Sequence, residues 1–188
     1  MHDMMCTRPD VSYALSMTSR YQANPGESHW IAIKNVFKYL RRTKDSFLVS
    51  GGYSELRVKG YTDASFQTDR DDLKSQAYFV VIMNGGAVCW RSFKESVIAD
   101  SITETECIAG SEAAKEAVWI RQFLEGLKVV PVAADPITIY CDNNGVIFQA
   151  KVSNAVDLVR RIKYIVPVRV LMNASSLTHD YMLNCLNS

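Results

Sequence analysis

The sequence predicts an α/β fold in which a mixed sheet is flanked by helices, after a small N-terminal helical segment. Segments with alternating polar and apolar residues form a hairpin pattern and recur on both sides of a long helical pattern. A strand, a helix and a second strand favour parallel pairing through a right-handed crossover. The chain has 188 residues, of which 48% are hydrophobic and 22% charged, so it can bury one core and carry an appendage.

Residues 1–50 are predicted to contain two helices. The first covers residues 9–22, with Pro9 near its start and the breaker Asn24-Pro25-Gly26 after it. The second covers about Glu27 to Arg42. Its apolar stripe at helical spacing is Trp30, Ile33, Phe37 and Leu40, and its basic set, off that stripe, is Lys34, Lys38, Arg41 and Arg42. The basic set either lies along a nucleic-acid backbone or forms a solvated face.

Residues 54–151 are predicted to form the sheet domain. The first strand alternates through Leu56 and Val58 and ends near Asp63, which shares its parity with the polar residues. A hairpin follows, with strands over 76–83 and 87–93. They flank Asn84-Gly85-Gly86, and Asn-Gly is among the strongest signals for a tight turn.

The long helix starts with one of two capping boxes, Ser101 with Glu104 or Thr103 with Glu106. Glu106 lies one turn before Gly110, so it is predicted on the sheet-facing side. The small residues at 110, 113 and 117 are predicted to let the helix approach the sheet. The stripe expected to face the core is Gly110, Ala113, Ala117, Ile120, Leu124 and Leu127.

The second strand of the crossover is predicted over 137–141 and ends at Asp142. Asn143-Asn144-Gly145 then leads into a short helix that reaches about Lys151. If the two crossover strands are neighbours, Asp63 and Asp142 lie about 5 Å apart, one strand spacing. Residues 152–188 are predicted to be a divergent tail. It fits poor order, or a helix over 155–165 and a strand over 168–172.

Asp63, Glu106 and Asp142 are therefore predicted to converge at the strand ends. Mg²⁺ prefers oxygen ligands, and a two-metal site needs several carboxylates to hold its ions. Like charges this close repel unless a cation is bound. Each acid also has a structural alternative: Glu106 as a capping partner, Asp142 as a helix N-cap and Asp63 as a turn acid.

Charge and cysteine content narrow the functional classes. The net charge of +1 conceals +3 in residues 1–50, −5 in residues 51–150 and +3 in residues 151–188. An acidic centre between basic flanks suits a metal site beside nucleic-acid contacts.

The sequence shows neither a membrane-length apolar run nor a signal peptide. The five cysteines form no Cys-x-x-Cys pair, which predicts reduced thiols in an intracellular protein without zinc.

Two sets of motifs carry a family resemblance over residues 6–151. The first resembles the end of a copia-type retrotransposon reverse transcriptase; it comprises Thr7-Arg8-Pro9-Asp10-Val11-Ser12-Tyr13-Ala14, Asn24-Pro25-Gly26, His29-Trp30 and Lys38-Tyr39-Leu40. The second resembles the ribonuclease H domain that follows it; it comprises Gly60-Tyr61-Thr62-Asp63-Ala64-Ser65, Gly85-Gly86-Ala87-Val88 with Trp90, Asp100-Ser101-Ile102-Thr103-Glu104-Thr105-Glu106, Ser111-Glu112-Ala113-Ala114-Lys115-Glu116-Ala117 and Cys141-Asp142-Asn143-Asn144.

The resemblance implies a ribonuclease H fold in a fragment of a Pol polyprotein. It implies that Asp63, Glu106 and Asp142 are catalytic acids that hold two Mg²⁺ or Mn²⁺ ions and cut the RNA strand of RNA–DNA hybrids. Ser65 and Asn144 would contact the hybrid. The order Asp–Glu–Asp favours ribonuclease H over integrases, whose order is Asp–Asp–Glu. In an intact element the protein would act in the cytoplasm, the nucleus or a virus-like particle.

The sequence departs from the family pattern near its end. Lys163-Tyr164-Ile165 has tyrosine where the family has histidine, which predicts slower product release or proton transfer. The fourth acid of a late Ala-Asp motif is missing, because His179-Asp180 comes too early, so the second ion is expected to bind weakly. No Tyr-x-Asp-Asp motif is present and no polymerase activity is expected. A catalytically inactive remnant that still binds nucleic acid and an integrase-type transferase remain alternatives.

Overall fold

The computed structural model describes residues 6–51, 58–128 and 137–147, and the backbone of residues 162–164. The chain forms two compact units. One contains the helices before Leu48, and the other runs from Val49 to Val166. Within the described ranges, no helix combines the length and apolar character that crossing a bilayer requires.

The N-terminal unit is a pair of helices. A 3₁₀ turn at Pro9–Val11 leads into α1 (Ser12–Ser19), and α2 spans Glu27–Arg42, as predicted. The first helix ends earlier than predicted, at Ser19. A polar cluster joins the start of the unit to the end of α2: Tyr39 Oη donates to Asp10 Oδ2 at 2.8 Å, and Arg8 Nη2 donates to Asp10 Oδ2 at 2.7 Å and to Thr43 Oγ1 at 2.6 Å.

The four apolar residues at helical spacing do lie on a helix, but the two aromatic ones are not part of its buried face. Trp30 is 55% exposed and Phe37 is 66% exposed. The residues of α2 buried against the first helix are Ala32 and Val36, which share a core cluster with Val11 and Ala14. Small side chains let the two helices approach closely, so the contact face lies on the alanine side and the large rings are left at the surface.

The second unit is a five-stranded mixed sheet with one long helix. The strand order is β3-β2-β1-β4-β5, with antiparallel pairing from β3 to β1 and parallel pairing from β1 to β5. The predicted mixed sheet and the parallel pairing of the crossover strands are confirmed. The elements are β1 (Val58–Ser65), β2 (Gln76–Met83), β3 (Gly86–Lys94), α3 (Ile102–Leu127), β4 (Thr138–Cys141) and β5 (Ile162–Tyr164).

The hairpin between β2 and β3 turns at Asn84 and Gly85, as predicted. Both residues have positive φ, 50° and 82°. A two-residue turn with two positive φ angles matches the right-handed twist of the flanking strands, and asparagine and glycine tolerate this conformation best.

The helix α3 covers one face of the sheet. Its buried residues Ala113, Ala117 and Ile120 share a core cluster with Phe79, Val81 and Ile139, which confirms the middle of the predicted stripe. Leu127 at its end is 47% exposed, so the prediction is wrong there. A helix of 26 residues is about 39 Å long, whereas an eight-residue strand is about 27 Å long. The end of the helix therefore extends beyond the sheet, and in the described part of the chain Leu127 has no sheet surface to pack against.

We expect Gly110→Ala to stabilise the protein by about 1 kcal/mol, because glycine is a poor helix former. Although Gly110 is buried, a Cβ added there would meet nothing within 4 Å outside its own helical turn in the described part of the chain. The space for a methyl group shows that the approach of α3 to the sheet does not depend on glycine at position 110. The denaturant midpoint measures the effect. Gly86→Ala is the contrasting variant, since its Cβ would lie 2.8 Å from Val49 O and should destabilise. A lower midpoint for Gly110→Ala would contradict the prediction.

The strand β5 falls inside the predicted tail. It pairs in parallel with β4, with Ile162 opposite Ile139 and Tyr164 opposite Cys141. The helix predicted over 155–165 is therefore wrong for these three residues, because pairing with β4 provides backbone hydrogen bonds that local propensity does not anticipate. The remaining predictions for 152–188, including the strand over 168–172, lie outside the described residues.

Candidate metal centre

Asp63 lies near the end of β1 and is half-buried. Its antiparallel partner on β2 is Tyr78, whose hydroxyl donates a hydrogen bond to Asp63 Oδ2. On the other side, the parallel register pairs Tyr61 with Tyr140. Asp63 and Asp142 each follow two residues after this pair, and the charge of Asp142 acts on Asp63.

Glu106 belongs to α3, and its side chain contacts β1 and β4. It is only 3% exposed. Its Oε1 accepts a hydrogen bond from Ala64 N at 3.2 Å, and its Oε2 accepts one from Cys141 Sγ at 3.9 Å. The helix N-terminus is capped by other residues: Ser101 Oγ accepts from Glu104 N at 3.2 Å, and Glu104 Oε2 accepts from Asp100 N at 2.8 Å. The Thr103–Glu106 capping box is thus not used, and the burial of Glu106 needs another reason.

Asp142 follows β4 and is exposed. Asn143, and not Asp142, caps the helical turn at residues 144–147. Its Oδ1 accepts hydrogen bonds from Gly145 N at 2.8 Å and from Val146 N at 3.3 Å. Asparagine fills this capping role well. The carboxylate of Asp142 is therefore left available at the end of the strand.

Among the described residues, one group of side chains has the spacing of a metal site. Potential ligand atoms of Glu106, Cys141 and Asp142 lie within 4.8 Å of one another. The structure thus brings two of the predicted acids together with a thiol that the sequence analysis did not select. Cys141 occupies an apolar position of the strand pattern, which indicates a core residue. Its position directly before Asp142 is the only sequence signal that could have identified it as part of a metal site.

Asp63 interacts with this group through charge without belonging to it. Its pKa is raised by burial and by the negative charge of Asp142, while the hydrogen bond from Tyr78 acts in the opposite direction. The charge of Asp63 in turn contributes to the raised pKa of Glu106. Neighbouring carboxylates repel one another unless a proton or a cation lies between them.

Burial dominates the acid–base properties of the group. Burial, followed by the charges of Asp63 and Asp142, raises the pKa of Glu106 to about 8. Burial also raises the pKa of the Cys141 thiol to about 12. At neutral pH the thiol is therefore protonated and uncharged, and Glu106 largely retains its proton in the absence of a cation.

The other predicted binding residues lie in both units. Ser65 ends β1 and is half-buried, and Asn144 is exposed at the start of the turn after Asp142. Ser65 lies two residues after Asp63, and Asn144 lies two residues after Asp142. The basic residues Lys34, Lys38, Arg41 and Arg42 are exposed on α2 of the helical unit.

No protein-family model matches the chain. Individual proteins do match it. The chain is 39% identical over 151 residues to a retrovirus-related Pol polyprotein from transposon TNT 1-94 of Nicotiana tabacum, covering 80% of this chain and 11% of that protein. It is 34% identical over 139 residues to the Pol polyprotein from transposon RE2 of Arabidopsis thaliana, covering 74% and 9%. A secreted RxLR effector protein 161 of Plasmopara viticola is 38% identical over 120 residues, covering 64% of this chain and 84% of that protein.

The matched region spans about a tenth of the length of these Pol polyproteins. Matches to several of them over most of the chain agree with the resemblance carried by its motifs. The chain belongs to the copia-type, retrovirus-related Pol polyproteins and corresponds to a fragment of one.

Proposed function

We propose that this chain is a metal-dependent ribonuclease H that hydrolyses the RNA strand of RNA–DNA hybrids, with Asp63, Glu106 and Asp142 as its catalytic acids. The observation that carries the proposal is the burial of Glu106 beside two further carboxyl groups. Within the described ranges none of the three forms an ion pair with a lysine or arginine, and Glu106 has no capping role. Such an arrangement is costly to folding unless it serves a cation.

The residues present fit Mg²⁺ or Mn²⁺. Both ions prefer oxygen donors, which Asp63, Glu106 and Asp142 supply. Bound ions supply Lewis-acid stabilisation of a phosphodiester and lower the pKa of an attacking water. The family resemblance implies two ions, and the missing fourth acid leaves the second site weaker.

The protein groups have separate roles in this proposal. The three acids hold the cations, and Tyr78 orients Asp63 through its hydroxyl. Glu106 must release its proton before it can act as a ligand, so cation affinity increases with pH. Ser65 and Asn144 contact the hybrid beside the acids. No side chain is required as a nucleophile.

The proposed fold and cellular context follow the same resemblance. The antiparallel strands β3-β2-β1, joined to parallel β4 with α3 across one face, are compatible with a ribonuclease H-like fold. The remainder of a Pol polyprotein would be the physiological partner, and the cytoplasm, the nucleus or a virus-like particle would be the location.

Cleavage of a labelled RNA–DNA hybrid tests the proposal directly. We expect cleavage of the RNA strand with Mg²⁺ or Mn²⁺ and none with EDTA. Asp63→Asn should reduce the rate by on the order of 100-fold or more, because weakening even an outer contact of a metal ligand costs about 10–100-fold. Double-stranded DNA of the same sequence is the substrate control. A rate equal to that of Asp63→Asn would refute catalysis by these acids.

A second candidate is a non-catalytic remnant that retains hybrid binding. It is favoured by the exclusion of Asp63 from the close group of Glu106, Cys141 and Asp142. Hybrid binding without metal-dependent cleavage in the same assay would select it. Joining of DNA strands would instead select an integrase-type transferase.

A further inference from the structure

One side of α2 combines exposed aromatic rings with positive charges. Trp30 and Phe37 are largely exposed, as are Lys34, Lys38 and Arg41. At about 100° per residue, these five positions fall within about 100° of arc around the helix. We call this surface the aromatic–basic face.

The face carries more positive than negative charge. Glu27, the only acidic residue of α2, falls within the same arc but lies in the first turn, before Trp30. In the described part of the chain, none of the three basic residues forms an ion pair. A helix surface with a net positive charge attracts a polyanion, and its attraction to phosphate is screened by salt.

A groove lies next to Trp30 at one end of the face. Its volume is about 270 Å³, and Tyr21, His29 and Ile33 also line it. The rings of Tyr21 and His29 are stacked with centroids 3.9 Å apart, and His29 Nδ1 accepts a hydrogen bond from Gly26 N at 2.9 Å. These contacts fix the ring positions before any ligand binds. Pockets for drug-sized ligands hold about 300–1,000 Å³, so this groove suits a single planar ring.

A surface with exposed aromatic rings beside positive charges binds single-stranded nucleic acid in preference to a duplex. Unpaired bases stack on aromatic side chains while the neighbouring phosphates contact lysine and arginine. In a duplex the bases are stacked on one another and offer no free face to Trp30. The chemistry of this surface therefore favours a single strand.

We infer that the aromatic–basic face binds single-stranded nucleic acid, with phosphates on Lys34, Lys38 and Arg41 and an unpaired base stacked on Trp30. The site goes beyond the proposed hybrid cleavage, because it lies in the helical unit and uses neither the three acids nor a metal. DNA and RNA share the chemistry that it recognises.

Fluorescence anisotropy of labelled 20-nucleotide oligo-dT and oligo-U in EDTA, with the full chain, tests this inference. Trp30→Ala should weaken binding by about 5-fold to 100-fold, the usual effect of losing one stacked base. It should leave the salt dependence unchanged. Replacing Lys34, Lys38 and Arg41 together with alanine should reduce the slope of log K against log salt by about 2. Phe37→Ala is a second aromatic variant for the case that Trp30→Ala does not fold.

Two controls keep the outcomes distinct. Trp119→Ala removes a tryptophan that is 59% exposed on α3 and stacked on Phe123, and it should not change binding. Glu106→Gln should also leave single-strand binding unchanged, so failure of the proposed nuclease and failure of this site are separable. The inference is overturned if no oligonucleotide binds, if Trp30→Ala and Trp119→Ala weaken binding equally, or if blunt duplex DNA is equally sensitive to Trp30→Ala.

Discussion

Glu106→Gln is expected to stabilise the metal-free protein above neutral pH and to abolish metal-dependent cleavage. Glutamine keeps the shape of the side chain. Its amide oxygen can accept the hydrogen bond from Ala64 N, and its amide nitrogen can donate to Cys141 Sγ in place of the bond from the thiol. It carries no charge, so the burial cost and the repulsion from Asp63 and Asp142 that raise the pKa of Glu106 disappear. The same loss of charge removes a cation ligand.

The sign of the pH dependence follows from the raised pKa. Glu106 has a pKa of about 8 in the folded protein and an ordinary value of 4.5. The folded state therefore binds the extra proton between these values, and the stability of the wild type falls as pH rises from 4.5 to about 8. Each pKa unit corresponds to about 1.4 kcal/mol, so the total effect is on the order of a few kcal/mol.

Denaturant unfolding between pH 4 and 9 in EDTA, repeated with Mg²⁺, measures both effects. The variant should show a smaller decline with pH, ending near pH 7 rather than near pH 8, and Mg²⁺ should stabilise only the wild type. Glu125→Gln is the matched control, because it makes the same change at an exposed pair with Arg121. If Glu106→Gln destabilises the metal-free protein at pH 8, electrostatic strain at this site is refuted.

Glu95→Gln is expected to stabilise the protein at pH 8 by roughly 3 kcal/mol, independently of any metal. Glu95 is 2% exposed at the position after β3, where its backbone N donates to Ser75 O at 2.9 Å. Among the described residues, neither oxygen of its carboxyl group has a hydrogen-bond partner. Burial, with a smaller contribution from Glu104, raises its pKa to about 7. A buried charge without a partner is costly, and an uncharged amide is less so.

The response to Mg²⁺ separates this effect from that of Glu106. The stability contributed by protonated Glu95 is complete below 4.5 and is lost as pH rises through about 7. The two proteins should therefore differ little at pH 4 and most above pH 7, with or without Mg²⁺. Glu125→Gln again serves as the control. Equal stability of the wild type and Glu95→Gln at pH 8 would contradict the prediction that the charge of Glu95 destabilises the folded protein.

Local patterns in the sequence predicted most of the backbone. The bounds of α2 and β2 agree with the structure because a Pro-Gly breaker and an Asn-Gly turn mark their ends. The parallel pairing of β1 and β4 followed from the strand–helix–strand order. The pattern failed at β5, whose pairing depends on a strand far away in the sequence.

The candidate site was less predictable than the fold. Position and spacing selected Asp63, Glu106 and Asp142, but they could not decide which residues cap the adjacent helices. The structure assigns those roles to Ser101 and Asn143. Each alternative cap would start its helix at a different residue, and only the folded geometry decides which start is used.

The sequence by itself determined the family and the mixed α/β sheet, and it selected Asp63 and Asp142 after strands and Glu106 in the first turns of a helix, because these depend on residue identity and local period. Tertiary structure alone placed the Tyr78 hydroxyl on Asp63 and the Cys141 thiol on Glu106. It also left Trp30 on the surface and buried Ala32. Those results depend on which faces meet across distant segments, and the hydrophobic period of a single helix or strand does not specify its partner.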